Sequence, residues 1–233
     1  MSRFLKVLLA AGLGLTANVA SAGERAVVVE LFTSQGCSSC PPADALLGEI
    51  ADREDVIALA LHVDYWDYIG WKDEFADPSF TARQRAYARA KGERTIYTPQ
   101  MVIGGEDHII GFKAMALAEL LAEHSARTEP ASVDLKRDGD RVVVTVRSNG
   151  GSAQRAVVQI ATYLPEATVS IRRGENAGRT LSYHNVVRDL EEIGTWNGRG
   201  TFTATVRVNP DYPVVAIVQA TGAGPVLGAA KLR

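Results

Sequence analysis

The chain has 233 residues, of which 46% are hydrophobic and 22% are charged. This is ordinary globular composition, and it excludes a disordered, collagen-like or multi-span membrane protein. With 25 Lys and Arg against 27 Asp and Glu, the formal net charge is -2, so charge gives no basis for binding nucleic acid or an anionic membrane. The two cysteines are too few for a disulfide-stapled scaffold, so folding must depend on burial of apolar side chains.

The N-terminal segment has the pattern of a secretory signal peptide. Arg3 and Lys6 form a short basic start, residues 7–20 are apolar, and small residues precede a cleavage site near Ala22. The apolar run is shorter than the roughly 20 residues of a membrane-spanning helix. We therefore expect a secreted or periplasmic protein with no stable membrane anchor after cleavage. Such oxidising compartments allow a cysteine pair to persist as a disulfide.

Residues 23–128 show alternating strand and helix patterns. Residues 26–32 and 56–63 are nearly continuous apolar runs, which are typical of strands buried on both faces of a parallel sheet. Between them, Pro41–Ile50 has apolar residues on one helical face, with proline tolerated in the first turn. Later patterns predict a helix capped by Ser79, a strand hairpin and a last helix. These later elements are predicted at residues 79–90, 100–103, 108–110 and 112–124.

From residue 129 onward the helical patterns mostly stop and strand patterns predominate. Residues 201–208 alternate strictly between apolar and polar, which is typical of a strand with one solvated face. The sequence Arg-Asp-Gly-Asp at residues 137–140 predicts a hairpin turn. These patterns predict an all-β, sandwich-like domain over residues 129–233. Its predicted strands lie at residues 132–136, 141–147, 157–164, 201–208 and 214–220.

Cys37 and Cys40 lie two residues apart, at the junction between the first predicted strand and the first predicted helix. A thiolate at a helix N-terminus is stabilised by unpaired backbone N–H groups and by the helix dipole, which lower its pKa. We therefore expect Cys37 to be a nucleophile and Cys40 to resolve a mixed disulfide. The alternative is an inert disulfide, although a bridge that encloses so few residues removes little loop entropy.

The motif Cys37-Ser38-Ser39-Cys40 and the order of predicted elements over residues 26–125 resemble the thioredoxin superfamily. Thr98-Pro99 is similar to the cis-proline site of that superfamily, which faces the cysteines. The resemblance implies an α/β, thioredoxin-like N-terminal domain with Pro99 beside the cysteines. It also implies that the backbone of Thr98 binds an extended substrate segment. An ordinary loop proline in the trans form is the alternative.

Charged residues in the first predicted domain give two further expectations. Glu30 interrupts the first apolar strand, and strands buried on both faces seldom carry an acid. It resembles the buried acid of thioredoxin-like oxidoreductases, which implies that Glu30 exchanges protons with Cys40. An outward-facing edge position is the alternative. Separately, Arg83, Arg85 and Arg89 predict a solvated cationic face on the second helix.

Aromatic residues follow the second predicted strand. Tyr65, Trp66 and Trp71 belong to a segment that leaves this strand at the edge of the sheet where Cys37 must lie. Ligands bind along that edge in open α/β folds, so we predict that these three side chains bind substrate. The alternative is that they pack between the domains or over a helix.

Three motifs resemble a family of secreted bacterial proteins known as domain of unknown function 1223. The motifs are His62-Val63-Asp64-Tyr65-Trp66-Asp67, Tyr97-Thr98-Pro99-Gln100 and Glu175-Asn176-Ala177-Gly178. The resemblance covers both predicted domains. It implies a thioredoxin-like fold and export, with no settled activity or substrate.

No metal or other cofactor is expected. Tetrahedral zinc needs four ligands, and the sequence has no second cysteine pair. The possible further ligands are scattered along the chain as His62, His108, His124 and His184. Copper(I) held by two thiolates is an alternative.

Taken together, these patterns predict an exported thiol–disulfide oxidoreductase. It would exchange disulfides with protein or small thiol substrates through Cys37 and Cys40, and an unidentified redox partner would reset the pair. The direction of exchange stays open, because it depends on how far the fold stabilises the Cys37 thiolate. Two alternatives belong to other classes: a secreted binding or assembly protein with an inert or redox-sensing disulfide, and a thioredoxin-like protein that handles copper or another metal.

Overall fold

The computed structural model describes residues 26–150 and 154–233, so the predicted signal peptide lies outside the described residues. The chain forms a mixed α/β fold that is built mostly around one large β-sheet. Its helices are α1 (Pro41–Ile50), α2 (Pro78–Ala90) and α3 (Ala114–Ser125). Its strands are β1 (Val27–Thr33), β2 (Val56–His62), β3 (Gln100–Ile103), β4 (Asp107–Ile110), β5 (Ala131–Asp138), β6 (Arg141–Ser148), β7 (Ala156–Ser170), β8 (Thr180–Trp196), β9 (Thr201–Arg207), β10 (Val214–Ala220) and β11 (Val226–Leu232). Within the described ranges, no helix is long and apolar enough to cross a membrane.

The strands form two sheets. The larger has the order β11-β10-β7-β8-β2-β1-β3-β4, and the smaller has the order β5-β6-β9. β1 and β2 are parallel, with Val27 opposite Val56 and Thr33 opposite His62. Parallel neighbours need a crossover connection, and α1 supplies it. The carboxyl ends of β1 and β2 therefore meet at one edge of the sheet.

The two faces of β1 are covered by different helices, because successive side chains of a strand point in opposite directions. Val27, Val29 and Leu31 pack in the cluster that contains α1 and α3. Val28 and Phe32 pack on the other face, with α2. This alternation places Thr33 on the α1 side of the sheet and Glu30 on the α2 side.

The large sheet crosses the domain boundary that the sequence predicts near residue 128. Val186 of β8 pairs with Ala60 of β2, so β7, β8, β10 and β11 extend the sheet that β1 and β2 begin. Among the described residues of 131–233, the secondary structure consists of strands alone. Side chains such as Val144 of β6 and Ile160 of β7 form one core between the two sheets.

β7 and β8 form a long antiparallel hairpin of 15 and 17 residues. Its connecting loop, residues 171–179, is called the arm loop below. The hairpin register shifts between Thr162 and Tyr163, and Asn185 of β8 has a positive φ of 49°. The Asn185 side chain donates to the carbonyl oxygen of Ala58 at 3.0 Å, which fixes β8 against β2.

The start of α2 differs from the sequence-based prediction. The helix begins at Pro78, and its N-cap residue is Asp77, whose carboxylate accepts a hydrogen bond from the Ser79 N–H at 2.7 Å. The prediction that Ser79 caps this helix is therefore wrong. Aspartate caps a helix as well as serine does, and proline favours the first helical position.

Candidate functional site

The two cysteines lie in the connection between β1 and α1, and they form a disulfide with Cα atoms 5.4 Å apart. Cys40 is the N-cap residue of α1, directly before Pro41. Both cysteines are buried, and Cys37 is only 1% exposed, whereas Ser38 and Ser39 between them are exposed. The pair therefore lies at the end of α1 where the helix dipole is positive.

A buried acid lies one helical turn after Cys40. The Asp44 N–H donates to the carbonyl oxygen of Cys40 at 3.1 Å, so the two residues share one face of α1. The Asp44 carboxylate accepts a hydrogen bond from the Thr33 hydroxyl at 2.7 Å. Burial raises the pKa of Asp44 to about 7, although His62 and the Thr33 hydroxyl act in the opposite direction. A carboxyl group with this pKa can hold or release a proton near neutral pH.

His62, the last residue of β2, pairs with Asp73. The distance from His62 Nδ1 to Asp73 Oδ2 is 2.7 Å, and both side chains are fully buried. Asp73 also accepts hydrogen bonds from the backbone N–H groups of Gln35 at 2.8 Å and Phe75 at 2.9 Å. Burial opposes the charged form of Asp73, but His62 and these hydrogen bonds outweigh burial and lower its pKa. Because Gln35 is two residues before Cys37, the pair is connected directly to the cysteine segment.

Several polar atoms in this region are buried without a hydrogen-bond partner in the described part of the chain. They include Gln35 Nε2, Asp44 Oδ2, His62 Nε2 and Tyr183 OH. The rings of His62 and Tyr183 have centroids 5.0 Å apart, and burial together with the charges of Asp44 and Asp73 raises the pKa of Tyr183. Unsatisfied buried polar atoms are rare in folded proteins. Asp44, His62, Asp73 and Tyr183 are called the buried polar cluster below.

Two of the three predicted substrate-binding aromatics, Trp66 and Trp71, lie against the cysteine connection, whereas Tyr65 packs towards α2. Trp66 Nε1 donates to Thr98 Oγ1 at 2.8 Å, and Trp71 Nε1 donates to Gln35 Oε1 at 2.7 Å. The Tyr65 hydroxyl donates to a glutamine of α2 at 3.2 Å, and burial raises the pKa of Tyr65 to about 12. All three rings are half-buried. Their hydrogen-bonding atoms already have partners within the protein.

The Thr98–Pro99 peptide bond is cis, and it lies beside the start of α1. A Cβ added to Gly111 would meet Ala43 of α1 at 2.9 Å and Pro99 at 3.1 Å. Glycine at position 111 therefore lets Pro99 and the first turn of α1 approach each other closely. The structure brings Thr98, Pro99 and the helix that carries Cys40 into one neighbourhood.

Glu30 is buried, but it serves a different contact from the one that the sequence predicts. Arg83 donates to both of its carboxylate oxygens, at 2.6 and 3.1 Å, and the Tyr87 hydroxyl donates as well. This contact lies on the α2 face of the sheet, whereas α1 lies on the other face. The structure therefore gives no support to proton exchange between Glu30 and Cys40, because Glu30 and α1 lie on opposite faces of the sheet. Arg83 is also not part of a solvated face, since its side chain is 10% exposed.

The histidines do not form a common site. Within residues 26–150 and 154–233, no group of three or more His, Cys, Asp or Glu side chains is placed to hold a metal ion. The contacts of the histidines include Asp73 for His62, Glu93 for His108, Asp107 for His124 and Gly48 for His184.

The arm loop from the C-terminal half also reaches the cysteine connection. Asn176 is 1% exposed, and its Nδ2 donates to the carbonyl oxygens of Gln35 at 2.9 Å and Cys37 at 3.0 Å. Glu175 and Asn176 belong to one of the motifs of the family resemblance, but no role at the site was predicted for them. Their position next to the cysteines was therefore missed.

A family model described as "Protein of unknown function (DUF1223)" matches residues 28–219. The chain belongs to this family. The match takes in the cysteine connection, the buried polar cluster and the arm loop, which confirms the resemblance found in the sequence. No match was found among curated proteins.

One solved structure covers nearly the whole of this DUF1223 chain. The X-ray crystal structure of protein AGR_C_4864 from Agrobacterium tumefaciens is 32% identical, covers 91% of this chain and 96% of its own, and has a TM-score of 0.76. A hypothetical protein from Pyrococcus horikoshii OT3 is 12% identical, covers 44% of this chain and 85% of its own, and has a TM-score of 0.22. The first likeness supports the DUF1223 fold, whereas the second is too weak to carry an argument.

Proposed function

We propose that the protein is an exported thiol–disulfide oxidoreductase that acts through Cys37 and Cys40. The observation that carries the proposal is the Cys37–Cys40 disulfide at the N-terminus of α1, with a buried acid of raised pKa one turn further along the same helix. The element order from β1 to α3 supports a thioredoxin-like N-terminal domain. The position of Pro99 near the first turn of α1 supports the same assignment.

The exchange step follows from the disulfide form. A thiolate of the substrate attacks Cys37 Sγ, the Cys37–Cys40 bond breaks, and Cys40 leaves as a thiolate. A second thiolate of the substrate then attacks the substrate sulfur of the mixed disulfide and releases Cys37. The substrate dithiol loses two electrons and becomes a disulfide, and the protein disulfide gains them and becomes a dithiol. Run in reverse, the same steps reduce a substrate disulfide.

In this proposal Asp44 takes the role that the sequence analysis gave to Glu30. When Cys40 leaves as a thiolate, the neutral carboxyl of Asp44, one turn further along α1, donates a proton to it, and in the reverse direction the Asp44 carboxylate accepts that proton. The His62–Asp73 pair lies in the same cluster. Thr98, Trp66 and Trp71 position the substrate segment, and protein thiols or disulfides of the exported environment are the proposed partners.

A second candidate is favoured by the burial of the sulfur atoms. Because Cys37 is 1% exposed, an incoming thiolate can reach its Sγ only after the surroundings of Cys37 open locally. A binding or assembly protein with an inert disulfide would show the same burial. The two candidates differ in how readily the disulfide is reduced.

The deciding experiment is the equilibrium reduction potential of the Cys37–Cys40 disulfide against a series of glutathione mixtures. A potential between about -120 and -270 mV is expected, since dithiol catalysts lie in that span. A potential below about -300 mV is typical of a structural disulfide and would overturn the proposal in favour of the binding protein. A Cys37→Ser and Cys40→Ser double variant is the control for thiols of other origin.

A further inference from the structure

Side chains from two separate segments bind the backbone around Cys37. Asp73 binds the N–H of Gln35 from one side. The arm loop makes three contacts: Asn176 donates to the carbonyl oxygens of Gln35 and Cys37, and the N–H of Ser38 donates to Glu175 Oε2 at 3.3 Å. More than 130 residues of sequence separate the arm loop from the cysteines, as the separation of 137 between Ser38 and Glu175 shows.

The arm loop has a defined internal structure that holds Asn176 in place. The Ile171 N–H donates to the carbonyl oxygen of Arg179 at 2.9 Å, and the Gly178 N–H donates to the carbonyl oxygen of Ile171 at 2.8 Å. Arg179 Nη1 donates to Asn176 Oδ1 at 2.9 Å, so both ends of the Asn176 amide are bonded. A loop that is closed on itself in this way presents the neighbouring Glu175 at a fixed place.

Glu175 brings a negative charge to the residue that follows Cys37. A like charge nearby disfavours a thiolate, and the carboxylate also takes a backbone N–H close to the start of α1, where such groups stabilise anions. Glu175 is exposed, whereas Asn176 is buried. The contact therefore acts on the charge state of reduced Cys37, and Asn176 determines where that contact is made.

We propose that Glu175 and Asn176 are positioning residues of the thiol–disulfide site, and that Glu175 lowers the thiolate content of Cys37. The inference rests on the proposed function, because the charge state of Cys37 matters only if the pair exchanges disulfides. A lower thiolate content makes reduced Cys37 a less available nucleophile and weakens the pair as an oxidant. The arm loop also carries Arg172, Arg173 and Arg179, of which Arg179 donates to Asn176, and on the other side Asp73 accepts from the Gln35 N–H.

The test uses the full chain with Cys40→Ala, so that Cys37 is the one remaining thiol. Glu175→Gln should raise the thiolate fraction of Cys37 at neutral pH about two- to fivefold, the range for one charge at a helix terminus. Thiolate absorbance in the ultraviolet and the rate of alkylation by iodoacetamide, both followed against pH, measure this fraction. The increase should shrink when salt is added, because exposed charges are screened.

Matched variants separate a charge effect from a structural one. Glu175→Asp keeps the carboxylate and should retain the low thiolate fraction. Glu192→Gln removes an exposed carboxylate of β8, outside the arm loop, and should leave the thiolate fraction unchanged. Asn176→Ala should raise the thiolate fraction in the same direction as Glu175→Gln. An unchanged thiolate fraction in Glu175→Gln, or an equal rise in Glu192→Gln, would overturn the inference.

These outcomes are separate from the outcome for the proposed function. Alkylation of Cys37 needs no disulfide substrate, so Glu175 can be tested even if the wild-type disulfide fails to equilibrate with glutathione. In that case the proposed function fails while the alkylation result still decides the role of Glu175. If the wild type equilibrates and Glu175→Gln has no effect, the inference alone fails.

Discussion

Asp44 and Cys40 lie one turn apart on the buried face of α1, with the Asp44 N–H bonded to the Cys40 carbonyl oxygen at 3.1 Å. The helix that carries the cysteine pair thus carries its own buried acid. Thr33 at the end of β1 donates to the Asp44 carboxylate, and the charge of His62 at the end of β2 acts on it. The edge where these strands meet therefore supplies the polar surroundings of the acid.

Asp44→Asn should stabilise the protein at high pH and not at low pH. Since burial raises the pKa of Asp44 from 3.8 to about 7, the folded state holds a proton between these values that the unfolded state has released. Asp44 therefore makes the wild type less stable as pH rises through this window, by a few kcal/mol at most once the window is passed. Urea unfolding of both proteins from about pH 4 to about pH 8 measures the difference. A difference that does not change with pH would contradict the assignment.

The same substitution should slow reduction of the disulfide by a small dithiol. Asparagine cannot protonate the departing Cys40 thiolate, so the rate of reduction should fall about tenfold. This is less than the usual effect of a general acid, because thiolates leave readily without protonation. After correction for ionisation of the dithiol, the wild-type rate should fall as pH rises through about 7, where Asp44 loses its proton. Stopped-flow measurement of reduction against pH tests this, and identical profiles for wild type and Asp44→Asn would remove Asp44 from the reaction.

Local patterns were sufficient to predict the elements that carry the site. β1 and β2 are continuous apolar runs because both of their faces are covered, and α1 begins where Cys40 is followed by proline. β8 was not predicted, because much of it is polar and its strand state depends on pairing with β7, which is distant in sequence. The contact of Asn176 with Gln35 spans 141 residues, and a single sequence contains no signal for it.

The sequence alone did not show which buried acid lies near the cysteines. The pattern of β1 shows that Glu30 points away from the face of Thr33, but it does not say which face α1 covers. The spacing of Cys40, Asp44 and Leu47 places all three on one helical face, and that signal was present in the sequence. An acid in the first turn of a helix has an ordinary explanation in the helix dipole, which is why Asp44 did not stand out.

Glu30→Gln should destabilise the protein strongly without changing the chemistry of the cysteines. The substitution leaves the Arg83 guanidinium buried without its counter-charge, and losing one partner of a buried pair typically costs about 3–5 kcal/mol. Adding Arg83→Met to Glu30→Gln should recover part of this loss, because the unpaired charge is then removed. Chemical denaturation measures the stability of both variants. The rate of disulfide reduction in Glu30→Gln should equal that of the wild type. If Glu30→Gln is slower, and Asp44→Asn keeps the pH profile of the wild type, Glu30 is restored as the proton-exchanging acid.

Tyr68 offers a test of the aromatic segment as a substrate surface. Its side chain is 80% exposed and stacks on Trp66, with ring centroids 6.5 Å apart and an angle of 15° between the planes. Trp66 in turn binds Thr98, so a peptide bound along Thr98 would meet both rings. Tyr68→Ala should change the free energy of unfolding by no more than about 0.5 kcal/mol, as is usual for an exposed side chain.

The same variant should lower kcat/KM for a peptide disulfide about two- to tenfold, the value of one aromatic contact. Its rate with a small dithiol should not change, because that reagent is too short to reach the ring. Tyr212→Ala, between β9 and β10, is the control for loss of a tyrosine elsewhere. If both reagents slow equally in Tyr68→Ala, the ring supports the site from within and does not bind the peptide.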